Sequence, residues 1–469
     1  MRSIRIGNGA GFWGDSLAAP RRLAEAASLD YLTLEYLAEL TMSILAHQLA
    51  RDPAAGYVAD FPVVLEDLVP ALRAQPGLRI VTNAGGMNPA GCVQRVSETL
   101  TAAGLDDARV AAVDGDDLLP ALDEHLAQGE RFANLDTGEP LESVRGQVVC
   151  ANAYLGAGGI VEALAGGARV VVTGRVADAA LPLAPAVFEF GWPWDDWDRL
   201  AAASVAGHLI ECGAQVTGGM HSEWDGTVRL GDVGYPVAEL SADGAAVITK
   251  PPGTGGRVTV GTLAEQLVYE IGDPAHYLTP DVDADFTGVR LDADGADRVR
   301  VTGARGRGRP DRLKVSLAYR DGWAVAAMLV VVGPDAVPRA RQCAEIVFER
   351  VRAAGFTLGR TNVECLGAGD SVPGVLAAAV DPPEVVLRIS AHDASREALE
   401  RLVREMAPLV TSGPPGVTGY TGARPKPHPV LAYWPTTIGR TRVRPRVRLG
   451  TARDWLEHGE QHAIVSTDP

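Results

Sequence analysis

From Ile4 to Thr173 the chain repeats one phrase: a short run rich in β-branched residues, a loop of Gly, Asn and Asp, then an amphipathic stretch rich in Ala and Leu. The run is too short for a helix and the stretch after it keeps a helical period, so each phrase reads as strand, turn, helix. Strands are expected at Ile4–Ile6, Tyr31–Glu35, Leu78–Thr82, Arg109–Val113, Gln147–Ala151 and Arg169–Thr173. Helices are expected at Leu17–Ala27, Leu37–Leu49, Val63–Arg73, Ala90–Ala103, Asp117–Ala127 and Gly159–Ala165. Right-handed crossovers place such strands parallel and cover both faces of the sheet. The expected fold class is therefore α/β, a mostly parallel sheet built from repeated βαβ units.

A helix at Asp196–Glu211 continues this pattern, and Val237–Leu240 with Ala245–Ile248 reads as a small antiparallel addition. Beyond about Tyr277 consecutive strand-like runs (Val299–Val301, Lys314–Tyr319, Trp323–Val332, Val385–Ile389) alternate with helices at Ala336–Ala353 and Ser395–Met406. Strands in succession with helices to one side suggest an α+β layer. Two domains are expected, 1–276 and 277–469, the second ending in a Pro/Gly/Arg-rich tail, Gly413–Gly450, that wraps over the surface.

Composition narrows the partners. A formal charge of -16, spread along the chain, opposes nucleic acid and anionic membranes and favours a small organic ligand. No stretch is apolar over about 18 residues and the N-terminus lacks a signal region, which points to the cytoplasm. The five cysteines are widely separated without a Cys-x-x-Cys pair, so neither a disulfide framework nor a zinc ribbon is implied, and they are expected reduced and mostly buried.

In an open parallel sheet, ligands bind beyond the carboxyl ends of the strands. The loops there are alike: Gly7–Ser16 with Gly9 and Gly11, Asn83–Asn88 with Gly85 and Gly86, Asn152–Gly159 with Gly156 and Gly158, then Gly174–Asp178. Glycines let backbone N–H groups converge at a helix N-terminus, which suits a phosphate or carboxylate. Tight βα turns alone would also explain any one of these loops; three on one face favour an anion site. The same rim carries Asp15, Glu35, Glu39, Asp114, Asp116, Arg175 and Asp178. Carboxylates beside an arginine and the amides of Asn83 and Asn152 suit proton transfer next to a carbonyl, the acid moving the proton and Arg and Asn holding the oxyanion. Asp15 and Asp178 could equally cap helices. Glu35 ends an apolar strand, where an acid is poorly solvated.

Other chemistries fit less well. Gly156–Val161 lacks the third glycine of a dinucleotide fingerprint, and no phosphate-loop lysine signature is present. Gly369–Gly374 is not a nucleophile elbow. His208 and Glu211, three apart on a predicted helix, form an alternative metal face, against the ordinary reading of a hydrogen bond at a helix end. No cofactor is required by any motif, and Cys212 reads as inert filler rather than a nucleophile.

Several separate stretches resemble the acyclic terpene utilisation family: Gly11–Ser16, Leu29–Met42, Gly174–Asp178, Gly207–Gly213, Pro310–Ser316 and Tyr319–Gly322. The resemblance spans nearly the whole chain. It implies bacterial breakdown of citronellol- and geraniol-type compounds, where neighbouring steps act on branched acyl-CoA thioesters. Longer members carry an added ferredoxin-like region, so it also implies a small partner subunit or a branch that does without one. Together, residues and resemblance lead to an expected lyase or hydratase, homo-oligomeric, acting on a branched acyl-CoA thioester or related carboxylate. Catalysis would rest on Asp15, Glu35, Arg175 and Asp178, and binding on Gly9, Gly11, Asn83, Gly85, Gly86, Asn152, Gly156 and Gly158. A non-catalytic assembly subunit and a metal-dependent hydrolase using His208 and Glu211 are the alternatives.

Overall fold

The computed structural model describes residues 2–224, 226–376, 381–420, 422–459 and 464–466. The chain forms two compact units, one of residues 1–318 with 433–469, the other of residues 319–432. Residues 277–318 and the C-terminal segment, expected in the second domain, thus fold with the first unit.

The first unit opens with β1 (Ser3–Asn8), α1 (Ala19–Ala26), β2 (Tyr31–Leu34), α2 (Glu39–Leu49), α3 (Asp60–Ala74), β3 (Arg79–Thr82), α4 (Pro89–Ala102) and β4 (Arg109–Asp114). It continues with α5 (Leu122–Ala127), β5 (Val148–Ala153), α6 (Gly158–Ala165), β6 (Val170–Thr173), α7 (Ala180–Phe190), α8 (Trp197–Glu211), β7 (Val237–Ser241) and β8 (Ala246–Thr249). The helices start where the sequence permits it: Asn88 accepts the Gly91 N–H at 2.9 Å while Pro89, which has no N–H to satisfy, enters the first turn of α4.

Five strands, β1-β2-β3-β6-β4, run parallel through the centre of an eleven-stranded sheet. All of β2 and β6 is buried, as expected of strands covered on both faces. The expectation of a mostly parallel sheet is corrected at the flanks, where β7, β8, Arg298–Thr302 and Arg290–Ala293 add antiparallel on one side. Arg446–Thr451 and Ile464–Ser466 add antiparallel on the other, so the sheet is mixed. Two readings fail for one reason. Arg446–Thr451 takes the edge of β4, pairing from Arg446↔Asp114 to Thr451↔Arg109, so part of the expected surface tail is a sheet strand. The strand expected at Gln147–Ala151, observed as β5, instead pairs with Arg312–Val332, outside the main sheet.

Apolar side chains of the sheet (Leu32, Leu34, Ile80, Val110, Val170) pack with Leu23 of α1, Leu65 and Leu68 of α3, and Val93 and Val96 of α4 in one core. The second unit is an antiparallel sheet of Arg360–Leu366, Glu384–Asp393, residues 323–332 and Val417–Tyr420. Its inward residues Val385, Leu387, Ile389 and Ala391 alternate with more open ones, and they pack with helices Ala336–Ala353 and Arg396–Met406. Among the described residues no helix is long and apolar enough to cross a membrane.

The α3 core supplies a stability test. Leu68→Ala removes a fully buried side chain and is expected to lower the unfolding free energy by about 2–5 kcal/mol. Val63→Ala, on the exposed face of the same helix, should change it by less than about 0.5 kcal/mol. Urea unfolding followed by circular dichroism reads both.

Candidate functional site

β2 buries all four of its residues, and the residue that follows, Glu35, is only 5% exposed at the carboxyl rim of the sheet. Its Oε1 accepts the Leu37 N–H at 2.8 Å, and its Oε2 accepts from Asn83 Nδ2. The other end of that amide, Asn83 Oδ1, accepts the Tyr36 N–H at 2.9 Å. Asn83 therefore ties the loops after β2 and β3 together, with both ends of its amide bound inside the protein.

Arg175 leaves the end of β6 and is 2% exposed. Its Nη1 donates to the Leu37 carbonyl and lies 3.9 Å from Glu35 Oε1; its Nη2 is 3.1 Å from Asp178 Oδ1. The guanidinium sits 4.1 Å from the centroid of the Tyr154 ring, a cation–π distance. Around the same ring, Lys314 Nζ lies 4.7 Å from the centroid and donates to Glu39 Oε1 at 2.9 Å, and Tyr154 donates to that oxygen at 2.6 Å. Glu39, Tyr154 and Lys314 thus join Glu35, Asn83, Arg175 and Asp178 in one cluster. Glu39 stood among the rim acids in the sequence, but nothing in sequence spacing links it to Lys314.

Burial and charge set the protonation states apart. Burial, then the charge of Asp178, holds the Glu35 carboxyl well above the usual range, although Arg175 and the Leu37 N–H pull the other way. Burial likewise raises Asp178 to about 7 against the pull of Arg175, with Glu211 and Glu39 adding to the rise. Asp178 keeps 31% of its side chain open, so water tempers that rise and a proton can reach it. Glu39 differs: burial would raise it, but the Lys314 ammonium, the Tyr154 hydroxyl and Arg175 outweigh burial and bring it to about 2. The cluster therefore pairs one fixed anion with one carboxyl that titrates near neutrality.

The other candidate residues lie elsewhere. Asp15 is bound within its own loop, accepting from Gly11 N at 2.9 Å and Ser16 N at 2.7 Å, and from the Tyr235 hydroxyl. Gly9, Gly11 and Gly85 allow close chain packing: a Cβ there would approach Pro20, the Cys212 backbone at 2.6 Å, and Pro89 at 2.8 Å. Gly86 alone of these needs the left-handed backbone, at φ +49°. Asn152 donates to Asp116 Oδ2 at 2.8 Å. At the loop after Asn152 the Ala157 N–H, at the start of α6, donates to both oxygens of Asp281, at 3.1 and 3.0 Å, and a Cβ on Gly156 would collide with that carboxylate. Gly158 has open space. The cradle expected to seat a ligand's anion holds one of the chain's own.

His208 and Glu211 are buried on α8, with His208 Nδ1 3.0 Å from Glu211 Oε1 and Nε2 2.9 Å from the Gln266 carbonyl. Among the described residues no group of three or more His, Cys, Asp or Glu side chains is arranged to hold a metal ion. All five cysteines are free thiols, Cys212 half-buried and the rest buried. A cavity of about 170 Å³ adjoins the rim, lined in part by Gly86, Asn88, Asp116, Asn152 and Arg446. Another, of about 550 Å³, lies at the opposite, amino end of the strands, beside Arg79, Arg109 and Arg169.

Asp116 carries a testable pH effect. Its Oδ2 accepts the Arg175 N–H at 2.9 Å as well as the Asn152 amide, yet burial raises the carboxyl to about 7. An acid whose folded pKa exceeds its unfolded value of about 3.9 favours folding below that value. The contribution falls as pH rises toward 7, by at most about 1.4 kcal/mol per pH unit. Asp116→Asn keeps an acceptor and removes the titration. Relative to wild type the variant should gain unfolding free energy between pH 5 and pH 8, measured by urea titration at each pH.

A family model described as acyclic terpene utilisation family protein AtuA matches residues 4–449. No curated protein and no solved structure matches the chain. With nearly every residue inside that match, and with Glu35, Arg175 and Asp178 among the residues it spans, the chain belongs to the acyclic terpene utilisation family.

Proposed function

We propose that the chain is a lyase or hydratase that works by acid–base chemistry on a branched acyl-CoA thioester or a related carboxylate. The supporting observation is Asp178: a carboxyl raised to about 7, paired with a buried arginine, and still about one-third open to solvent. A general acid or base is most effective when its pKa lies near the working pH, because it is then both available and reactive. Glu35 shares the arginine but is sealed from solvent and held toward its protonated form, so it does not exchange the reaction's proton.

In the dehydrating direction Asp178 takes the proton from the carbon next to the thioester carbonyl. The electron pair forms the new carbon–carbon double bond, and the β-hydroxyl takes that proton from Asp178 and departs as water. Hydration runs the same steps in reverse. Negative charge develops on the carbonyl oxygen as the proton leaves, and Lys314 is the cation for it, since 47% of its side chain is exposed. That role was expected for Arg175 and Asn83; Arg175 is 2% exposed, and the Asn83 amide is bound at both ends inside the protein. The acyl-thioester class rests on the family resemblance, and the proton chemistry on the cluster.

The test is turnover on a panel of branched acyl-CoA thioesters and free carboxylic acids. Asp178→Asn should lower kcat by about 10²–10⁴-fold with little change in KM. Undiminished turnover in that variant overturns the assignment of Asp178. No saturable binding and no turnover by wild type across the panel overturns the substrate class.

A further inference from the structure

The three arginines beside the amino-end cavity are neighbours by strand register. Ile80, Val170 and Val110 are partners across β3, β6 and β4, so the residues one position earlier, Arg79, Arg169 and Arg109, stand in one row. Main-chain bonds hold the row: the Arg169 N–H donates to the Arg109 carbonyl at 2.8 Å, and the Ile80 N–H to the Arg169 carbonyl at 2.9 Å. Adjacent strands lie about 4.8 Å apart, and like charges side by side at that spacing destabilise a sheet. The chain carries a formal charge of -16, yet none of the three arginines forms an ion pair among the described residues.

Helix ends engage only a fraction of their N–H groups. Arg79 Nη1 is 3.4 Å from the Leu164 carbonyl of α6, while Arg169 Nη2 donates to the Leu72 carbonyl of α3 and lies 3.3 Å from the Gln75 carbonyl. Such carbonyls carry part of a charge and here occupy one nitrogen of each guanidinium. Arg79 Nε and Nη2 and Arg169 Nη1 are neither buried nor hydrogen-bonded among the described residues, and the exposed Arg109 makes no side-chain hydrogen bond among them. All three arginines line the cavity of about 550 Å³. Asp106 and Asp107 line it too, but Asp107 is 92% exposed and lies 3.6 Å from Arg453, and Asp106 pairs with none of the three.

We propose that this cavity binds the phosphate group of a small ligand, with Arg79, Arg109 and Arg169 as its cationic wall. A guanidinium fork matches phosphate oxygens in pairs, and a phosphate monoester near neutral pH carries a charge of about -1.5 to -2, which offsets the repulsion within the row. Arg169 and Arg175 are six positions apart, about 20 Å of extended chain at most, with the buried length of β6 between them. The phosphate site is thus separate from the rim cluster, and it does not rest on the reaction proposed above.

Isothermal titration calorimetry of the full-length protein with pyrophosphate, and separately with inorganic phosphate, at low ionic strength tests the site. Wild type should bind pyrophosphate saturably. Arg109→Ala removes an exposed side chain that holds no hydrogen bond among the described residues, and should weaken binding by about tenfold or more. Arg109→Lys should restore only part, because an ammonium keeps the charge and loses the fork. Asp106→Asn should tighten binding by removing an acid from the cavity wall. Arg352→Ala makes the same charge change at an exposed position on the helix Ala336–Ala353 and should leave binding unchanged. Tighter binding of pyrophosphate than of phosphate supports the site as one for a diphosphate-bearing ligand, and the reverse order supports it as one for a single phosphate. Failure of wild type to bind either anion saturably overturns the proposal. Undiminished binding in Arg109→Ala overturns it as well, as does an equal loss in Arg352→Ala, which marks general charge attraction. Each readout is independent of turnover on acyl-CoA thioesters.

Discussion

A guanidinium withdrawn from water costs several kcal/mol unless its charge is answered in place, and Arg175 sets this condition at the carboxyl end of the parallel sheet. Three segments answer it. The loop after β2 supplies Glu35 and the Leu37 carbonyl, the residues following β6 supply Asp178, and Tyr154 after β5 lies against the guanidinium, while Asp116 after β4 binds the arginine's main-chain N–H. Because each partner comes from the end of a different element, the arginine fixes the relative placement of those ends. The rim cluster is in this sense a consequence of one buried charge.

That charge does not suffice for all the acids around it. Counting Glu35, Glu39 and Asp178 against Arg175 and Lys314, the cluster cannot ionise every carboxyl without leaving one unbalanced. Burial decides which acid keeps its proton. Glu39 has Lys314 and the Tyr154 hydroxyl on a single oxygen and stays charged. Glu35 has one distant contact to the arginine and bonds to neutral donors, so burial holds it well above the usual carboxylate range. Asp178 is raised to about 7, and its remaining exposure allows exchange with solvent.

The sequence shows these features unevenly. The βαβ phrase is local, each strand and helix is marked by its own residues, and β1 to β4 and β6 lie where the pattern puts them. Glu35 is legible for the same reason, as an acid directly after four apolar-strand positions. What local pattern cannot supply is the choice of partner. Val148–Ala153 looks like the other strands, but Arg446–Thr451, some 300 residues later, takes the edge beside β4. The Glu39–Lys314 pair is likewise separated by 275 positions, and only the fold joins them.

The glycine-rich loops show a different limit. Their backbone N–H groups were read as seats for a ligand's phosphate or carboxylate, and the physics behind that reading holds, since such loops do bind carboxylates here. The carboxylates are Asp281 on Ala157, Asp15 on Gly11 and Ser16, and Asp116 on Arg175, all from the same chain. An anion cradle in a sequence specifies the charge it wants and not its source. With those N–H groups already engaged, polar surface open to water at this rim lies on side chains such as Asp178 and Lys314 rather than on the loops that first suggested a site.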